Sequence, residues 1–155
     1  MHPEHNYKLT VRWTGNNGTG TSSYRAYERS HVILIDNKVE IKGSSDPLFH
    51  GDKTVHNPED LLLASLAACH MMSYLHVCVN AGIVVTDYED NATGKMTVNN
   101  DGSGHFTEVT LNPIVTVSDS SMLEKANELH KMANKLCFIA NSVNFPVKHI
   151  PQSKI

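Results

Sequence analysis

The chain has 155 residues, enough for one compact domain whose core needs no disulfide or metal staple. Apolar residues make up 40% and recur throughout, which argues against disorder. The net charge of −3 argues against the broad basic footprint of a nucleic-acid-binding protein. Three cysteines, an odd number, argue against a secreted disulfide scaffold and point to a cytoplasmic chain with free, structural, catalytic or metal-binding thiols.

Residues Met1–Asn6 lack the charged and apolar regions of a signal peptide. Tyr7, Leu9, Val11 and Trp13 alternate with Lys8, Thr10 and Arg12, the period of a half-buried strand. Gly15-Asn16-Asn17-Gly18 reads as a turn. The β-formers of Tyr24–Ile35 predict one or two strands. Asp36-Asn37 then turns the chain toward a strand through Val39 and Ile41. Residues 43–54, with Pro47 and Gly51, form a polar loop long enough to suggest a functional one.

Asn57 and Pro58 open the clearest element, a helix over 58–81. Asn57 caps it, Glu59 and Asp60 complement its dipole, and Gly82 stops it. Leu61–Ala81 contains no Asp, Glu, Lys or Arg. Its Ser65, His70, Ser73, Tyr74, His76 and Asn80 argue against a membrane span, so the predicted element is a helix buried on most sides, partly by a second subunit. Met71 and Met72 read as core filler.

Residues 83–101 and 106–117 predict two long strands of one hairpin, with Asn99–Gly102 as its turn and Pro113 as an edge or bulge. Ser121–Glu124 fits a capping box for a second helix, whose apolar stripe runs Ala126, Leu129, Ala133, Leu136, Cys137. Asn141–Asn144 breaks that helix before a short strand at Phe145–Ile150. The fold class is α+β, one domain over 1–155 with two helices packed on grouped strands.

The cysteines separate geometrically. Cys69 and Cys78, nine residues apart on one helix, point to opposite faces about 13.5 Å apart along the axis. They cannot bond to each other, which leaves Cys137 as the intramolecular partner open to either. The commonest role of a buried thiol is a small hydrophobe. A metal site lacks support: His70 and His76 are six apart and no C-x-x-C occurs. His70 fits a hydrogen-bonded interior or interface residue, and His130 falls two turns before Cys137.

Asn57-Pro58-Glu59-Asp60-Leu61, followed by Ala67-Ala68-Cys69, resembles the N-P-E-x-L…A-A-C motif of the OsmC/Ohr proteins, the osmotically inducible and organic hydroperoxide resistance proteins. Leu136–Val143 resembles their second cysteine motif, and the order of elements agrees. The resemblance implies an OsmC-like fold with antiparallel sheets around a long buried central helix, in an intertwined homodimer. It implies a thiol-dependent peroxidase acting on organic hydroperoxides, with Cys69 as peroxidatic thiol, Cys137 as resolving thiol and a Cys69–Cys137 disulfide reduced by an external thiol or lipoyl-type group. No cofactor, metal, nucleic acid or membrane enters this scheme.

The family pairs the reactive thiol with an Arg held by a Glu, and Glu59 matches the motif Glu. Ten residues of helix separate Glu59 from Cys69 by about 15 Å, so one shared site would need two chains. The family positions for Arg correspond to Gly15–Gly18 and Leu48–Gly51, neither of which contains one. Arg25 is the first substitute and Arg29 the second. His70 after Cys69 and Phe138 after Cys137 mark a divergent branch, for which a non-enzymatic small-molecule-binding or redox-sensing protein is the alternative.

Overall fold

The computed structural model describes residues 4–155; Met1–Pro3, part of the segment read for a signal peptide, lie outside the described residues. The chain comprises two compact units, one ending at Leu61 and the other spanning Leu62–Ile155.

The first unit holds an antiparallel sheet of β1 (Thr10–Trp13), β2 (His31–Leu34) and β3 (Ile41–Gly43). The predicted half-burial of β1 is not present within the chain: Leu9, Val11 and Trp13 are all exposed. Residues 24–29 form a turn and an isolated bridge, with strand only from His31. Asn37 takes the left-handed conformation the Asp36-Asn37 turn requires. Gly15 sits so close to the Glu28 carbonyl that a Cβ would collide with it, and the Trp13 indole N–H donates to that same oxygen at 2.8 Å.

Helix α1 (Pro58–Asn80) follows. Its N-terminus is capped as expected, the Asp60 N–H donating to Asn57 Oδ1 at 2.8 Å. At its C-terminus Gly82, at φ 71°, closes a Schellman motif. The Ile83 N–H reaches the Cys78 carbonyl at 2.9 Å, and the Gly82 N–H reaches Val79 at 3.1 Å. Within the chain α1 is buried along one stripe, Leu66, His70, Tyr74, Val77 and Cys78, rather than on most sides. Ala64, Ala68, Met72 and Val79 are exposed. By length and composition alone α1 could cross a membrane, a test that core helices also pass.

The second unit contains two three-stranded sheets. The two long predicted strands each break near the middle, giving β4 (Val85–Asp90) and β5 (Thr93–Val98), then β6 (Gly104–Leu111) and β7 (Pro113–Val117). The outer halves pair as β4–β7 and the inner halves as β5–β6, so one hairpin serves both sheets. Asn112 fixes the corner: its N–H donates to Asp90 Oδ1 at 2.7 Å and its side-chain amide to the Asn91 carbonyl at 2.9 Å. Pro113 opens β7, where its missing N–H is tolerated, and is buried rather than at an edge. β8 (Val147–His149) joins β6 and β9 (Gln152–Lys154) joins β7, both parallel, so the sheets are mixed rather than purely antiparallel.

Helix α2 (Leu123–Leu136) starts without the expected capping box. Asp119 instead caps the preceding turn, accepting from the Ser121 N–H at 2.8 Å and hydroxyl at 2.6 Å. Its buried stripe is Ala126, His130, Ala133 and then Cys137, which is extended just past the last turn. Leu136, predicted on that stripe, is 44% exposed. Tyr74, Val77, Ile83, Val115, Val117, Ala126 and Ala133 form one core cluster. Leu66, Val109 and Leu111 form another.

Candidate functional site

Cys69 lies one residue before His70 of the buried stripe of α1 and is half-buried. Its neighbours on the open side are Met72 and Ser73 one turn away and His76 two turns away; they line, with Cys69, Leu136 and Phe138, an apolar cavity of ≈ 430 Å³. Met72, expected in the core, is 61% exposed, and Phe138 is 78% exposed. Both serve the rim of this cavity.

Cys137 is fully buried, because the α2 stripe carries it inward at the helix end. Cys69 and Cys137 lie within hydrogen-bonding reach of each other, and both are free thiols. Burial, helped by the bond to Cys69, pushes the Cys137 thiol up to about 11, while the Ala140 N–H, donating to its Sγ at 3.4 Å, acts in the opposite direction. Cys137 is therefore a protonated thiol at neutral pH, and Cys69 is the one of the pair that faces open space. Cys78 stands apart in the Tyr74–Val77–Ile83 cluster, its pKa raised by burial.

Beside Cys69, three imidazoles meet. His70 Nε2 and His130 Nδ1 share a hydrogen bond at 2.9 Å, and both residues are buried. Their rings stack at 5.2 Å, the His149 ring lies 4.4 Å from His70, and Tyr74 stacks on His130 at 3.9 Å. The Tyr74 hydroxyl donates to the Ala126 carbonyl at 3.0 Å. Burial, then the neighbouring imidazoles His149 and His130, drives His70 down to about 3. Burial and His149 take His130 down to about 4, and burial lowers His149. All three are neutral near pH 7. The interior reading of His70 agrees with this placement. Sequence reasoning passed over His149 and Tyr74 as partners. The available signals were the alternation of Val147 with His149 and the four-residue spacing of His70 and Tyr74. Among the described residues no group of three His, Cys, Asp or Glu is arranged to hold a metal ion.

The remaining site candidates belong to the first unit. Glu59 is half-buried in the first turn of α1, ten residues before Cys69 on that helix. Arg25 is exposed in a turn rather than on a strand. Arg29 is the ordered cation. Its guanidinium carbon lies 4.7 Å from the Tyr24 ring centre and 4.3 Å from that of Tyr27. Its amino groups donate to the Tyr27 carbonyl at 2.8 Å and the Tyr24 carbonyl at 3.0 Å. Arg29 also lines a cavity of ≈ 380 Å³ with Trp13, Tyr27, His31 and Ser44.

A family model described as OsmC-like protein matches residues 50–150, which include Glu59 and both cysteine motifs. The chain belongs to the OsmC-like family. A solved OsmC-like protein of unknown function from Vibrio cholerae is 27% identical to this OsmC-like protein, with a TM-score of 0.86 over 96% of this chain and 99% of that one. An organic hydroperoxide resistance protein from Elizabethkingia anophelis is 19% identical, with a TM-score of 0.70 over 98% of this chain and 100% of that one. The organic hydroperoxide resistance protein OhrB of Bacillus subtilis is 22% identical, with a TM-score of 0.63 over 97% and 98%. At those last identities the likeness is one of fold. No curated protein matches this OsmC-like chain.

Proposed function

We propose that this OsmC-like protein is a thiol-dependent peroxidase that reduces organic hydroperoxides. The observation carrying this reading is a half-buried Cys69 that lines an apolar cavity and has the buried Cys137 thiol within reach. The Cys69 thiolate attacks the outer peroxide oxygen and the O–O bond breaks. The departing alkoxide takes a proton and leaves as alcohol, and Cys69 is left as a sulfenic acid. The Cys137 thiol then forms the S–S bond as water leaves. An external dithiol, of lipoyl or similar type, returns both thiols by exchange. The apolar lining from Met72, Leu136 and Phe138 favours a peroxide with a hydrocarbon group.

A thiolate needs a cation. Arg29, held by two rings and two carbonyls, supports that role better than the exposed Arg25. With Glu59 far from Cys69 along α1, the reading takes Glu59 and the cation from the partner of a homodimer. The cytoplasm, where free thiols persist, is the compartment this chemistry suits.

The absence of Arg from Gly15–Gly18 and Leu48–Gly51 favours a second reading, a redox-sensing or small-molecule-binding protein without turnover. Consumption of cumene hydroperoxide in the presence of a dithiol decides between them. Wild type should turn over and Cys69→Ser should fall to the uncatalysed rate; equal slow rates in both would favour the second reading. Mass spectrometry after one equivalent of oxidant should find a Cys69–Cys137 bond.

A further inference from the structure

One thiol sits on α1 and the other just past the end of α2, and something must hold those helices in register. Between α1 and α2 the second helix offers small Ala126 and Ala133, and the rings of His70, Tyr74 and His130 occupy the space beside them. His130 lies midway between those alanines on the stripe that ends in Cys137. His70 is the residue after Cys69. The shared hydrogen bond at 2.9 Å, with its stacked rings, therefore ties α1 one residue from Cys69 to α2 two turns, about 10.5 Å, before Cys137. Such a bond has a single donor–acceptor geometry, unlike an apolar contact, which tolerates sliding. The Tyr74 hydroxyl bond to Ala126 supports it one turn further from the thiols, after His70 on α1 and before His130 on α2.

We infer that His70 and His130 are positioning residues, setting the helix register that holds Cys137 against Cys69 for disulfide formation. The inference rests on the dithiol reading above, but its test needs no peroxide. Oxidised glutathione takes up the two electrons: two protein thiols become one disulfide and two reduced glutathiones are released. The equilibrium constant of that exchange measures the effective concentration of one thiol at the other, a direct gauge of prior alignment.

Wild type should show a high effective concentration for the Cys69–Cys137 pair. His130→Leu should lower it by about tenfold or more, since misplacement of reacting groups by a fraction of a bond length is costly. His130→Asn, which keeps a polar atom near the Nδ1 position, should recover part of the loss, and His70→Gln, which keeps one near Nε2, should do likewise. Val117→Ala opens the same core without touching the tie and controls for general loosening. A wild-type constant in folded His130→Leu, or an equal fall in Val117→Ala, overturns the inference. Should His130→Leu fail to fold, the two polar variants carry the test: their constants must fall between wild type and the Val117→Ala-corrected baseline of His70→Leu, and constants unaffected by any change at position 70 overturn it. Loss of hydroperoxide turnover with an intact glutathione constant would instead count against the peroxidase reading alone.

Discussion

The imidazole cluster fixes how the protein responds to acid. His70 is held to about 3 and His130 to about 4, against an ordinary value near 6.5. Each therefore binds fewer protons folded than unfolded as the pH drops below 6.5. Their contribution to stability is complete above that value and is lost as the pH falls toward 3, with a limiting slope of about 1.4 kcal/mol per pH unit for each imidazole. The groups around them are His149, also lowered, and Tyr74, whose phenol is pushed further up by burial and stays neutral. Urea midpoints should be flat from pH 7 to 8 and fall steeply between 6 and 4, and His149→Gln should make the fall shallower. An equal slope in that variant would remove His149 from the account. At this scale the sequence made Cys69, Cys137 and Glu59 visible through local motifs. His149 joins the cluster only because β8 pairs with β6, placing it opposite Leu111, 38 residues earlier in the chain.

Helix ends were legible where a cap is local, and missed where two caps compete. Gly82 is conformationally required: at φ 71° a Cβ meets no neighbour, so Gly82→Ala should cost about 1 kcal/mol through backbone strain alone. At α2 the Ser121–Glu124 pattern resembles a capping box, yet Asp119 engages Ser121 first and starts a short turn that leads into the helix. Asp119→Ala should therefore destabilise the protein by about 1 kcal/mol, and Ser121→Ala by less, in thermal or urea unfolding. Equal losses would restore the capping-box account. The hairpin shows the limit of period-two reading. Residues 83–101 have the composition of one strand, but the Asp90 carboxylate and the Asn91 carbonyl capture Asn112 and bend the ribbon between two sheets.

For the whole molecule, the exposed apolar surface is the feature that calls for a partner. Leu9, Val11 and Trp13 are exposed in and just before β1 of the first unit, and Ala64, Ala68, Met72 and Val79 line an exposed face of α1. Light scattering at micromolar concentration should report a dimer. Val79→Glu, at a position 76% exposed in the single chain, should shift it toward a folded monomer. A wild-type monomer would remove the partner from which Glu59 and Arg29 are proposed to reach Cys69.

The sequence alone determined what depends on neighbours along the chain: the span and caps of α1, the separation of Cys69 from Cys78 by helix geometry, the α+β class and the family motif. Only the tertiary structure decided which residues meet across the chain. It brought Cys137 to Cys69, closed His70, His130 and His149 into one neutral cluster, joined β8 and β9 in parallel to strands of the hairpin, and left Met72 and Phe138 at a cavity rather than in the core. Helical phase and capping are set within a few residues, whereas a contact 60 residues apart, like that of His70 with His130, follows from packing the whole core.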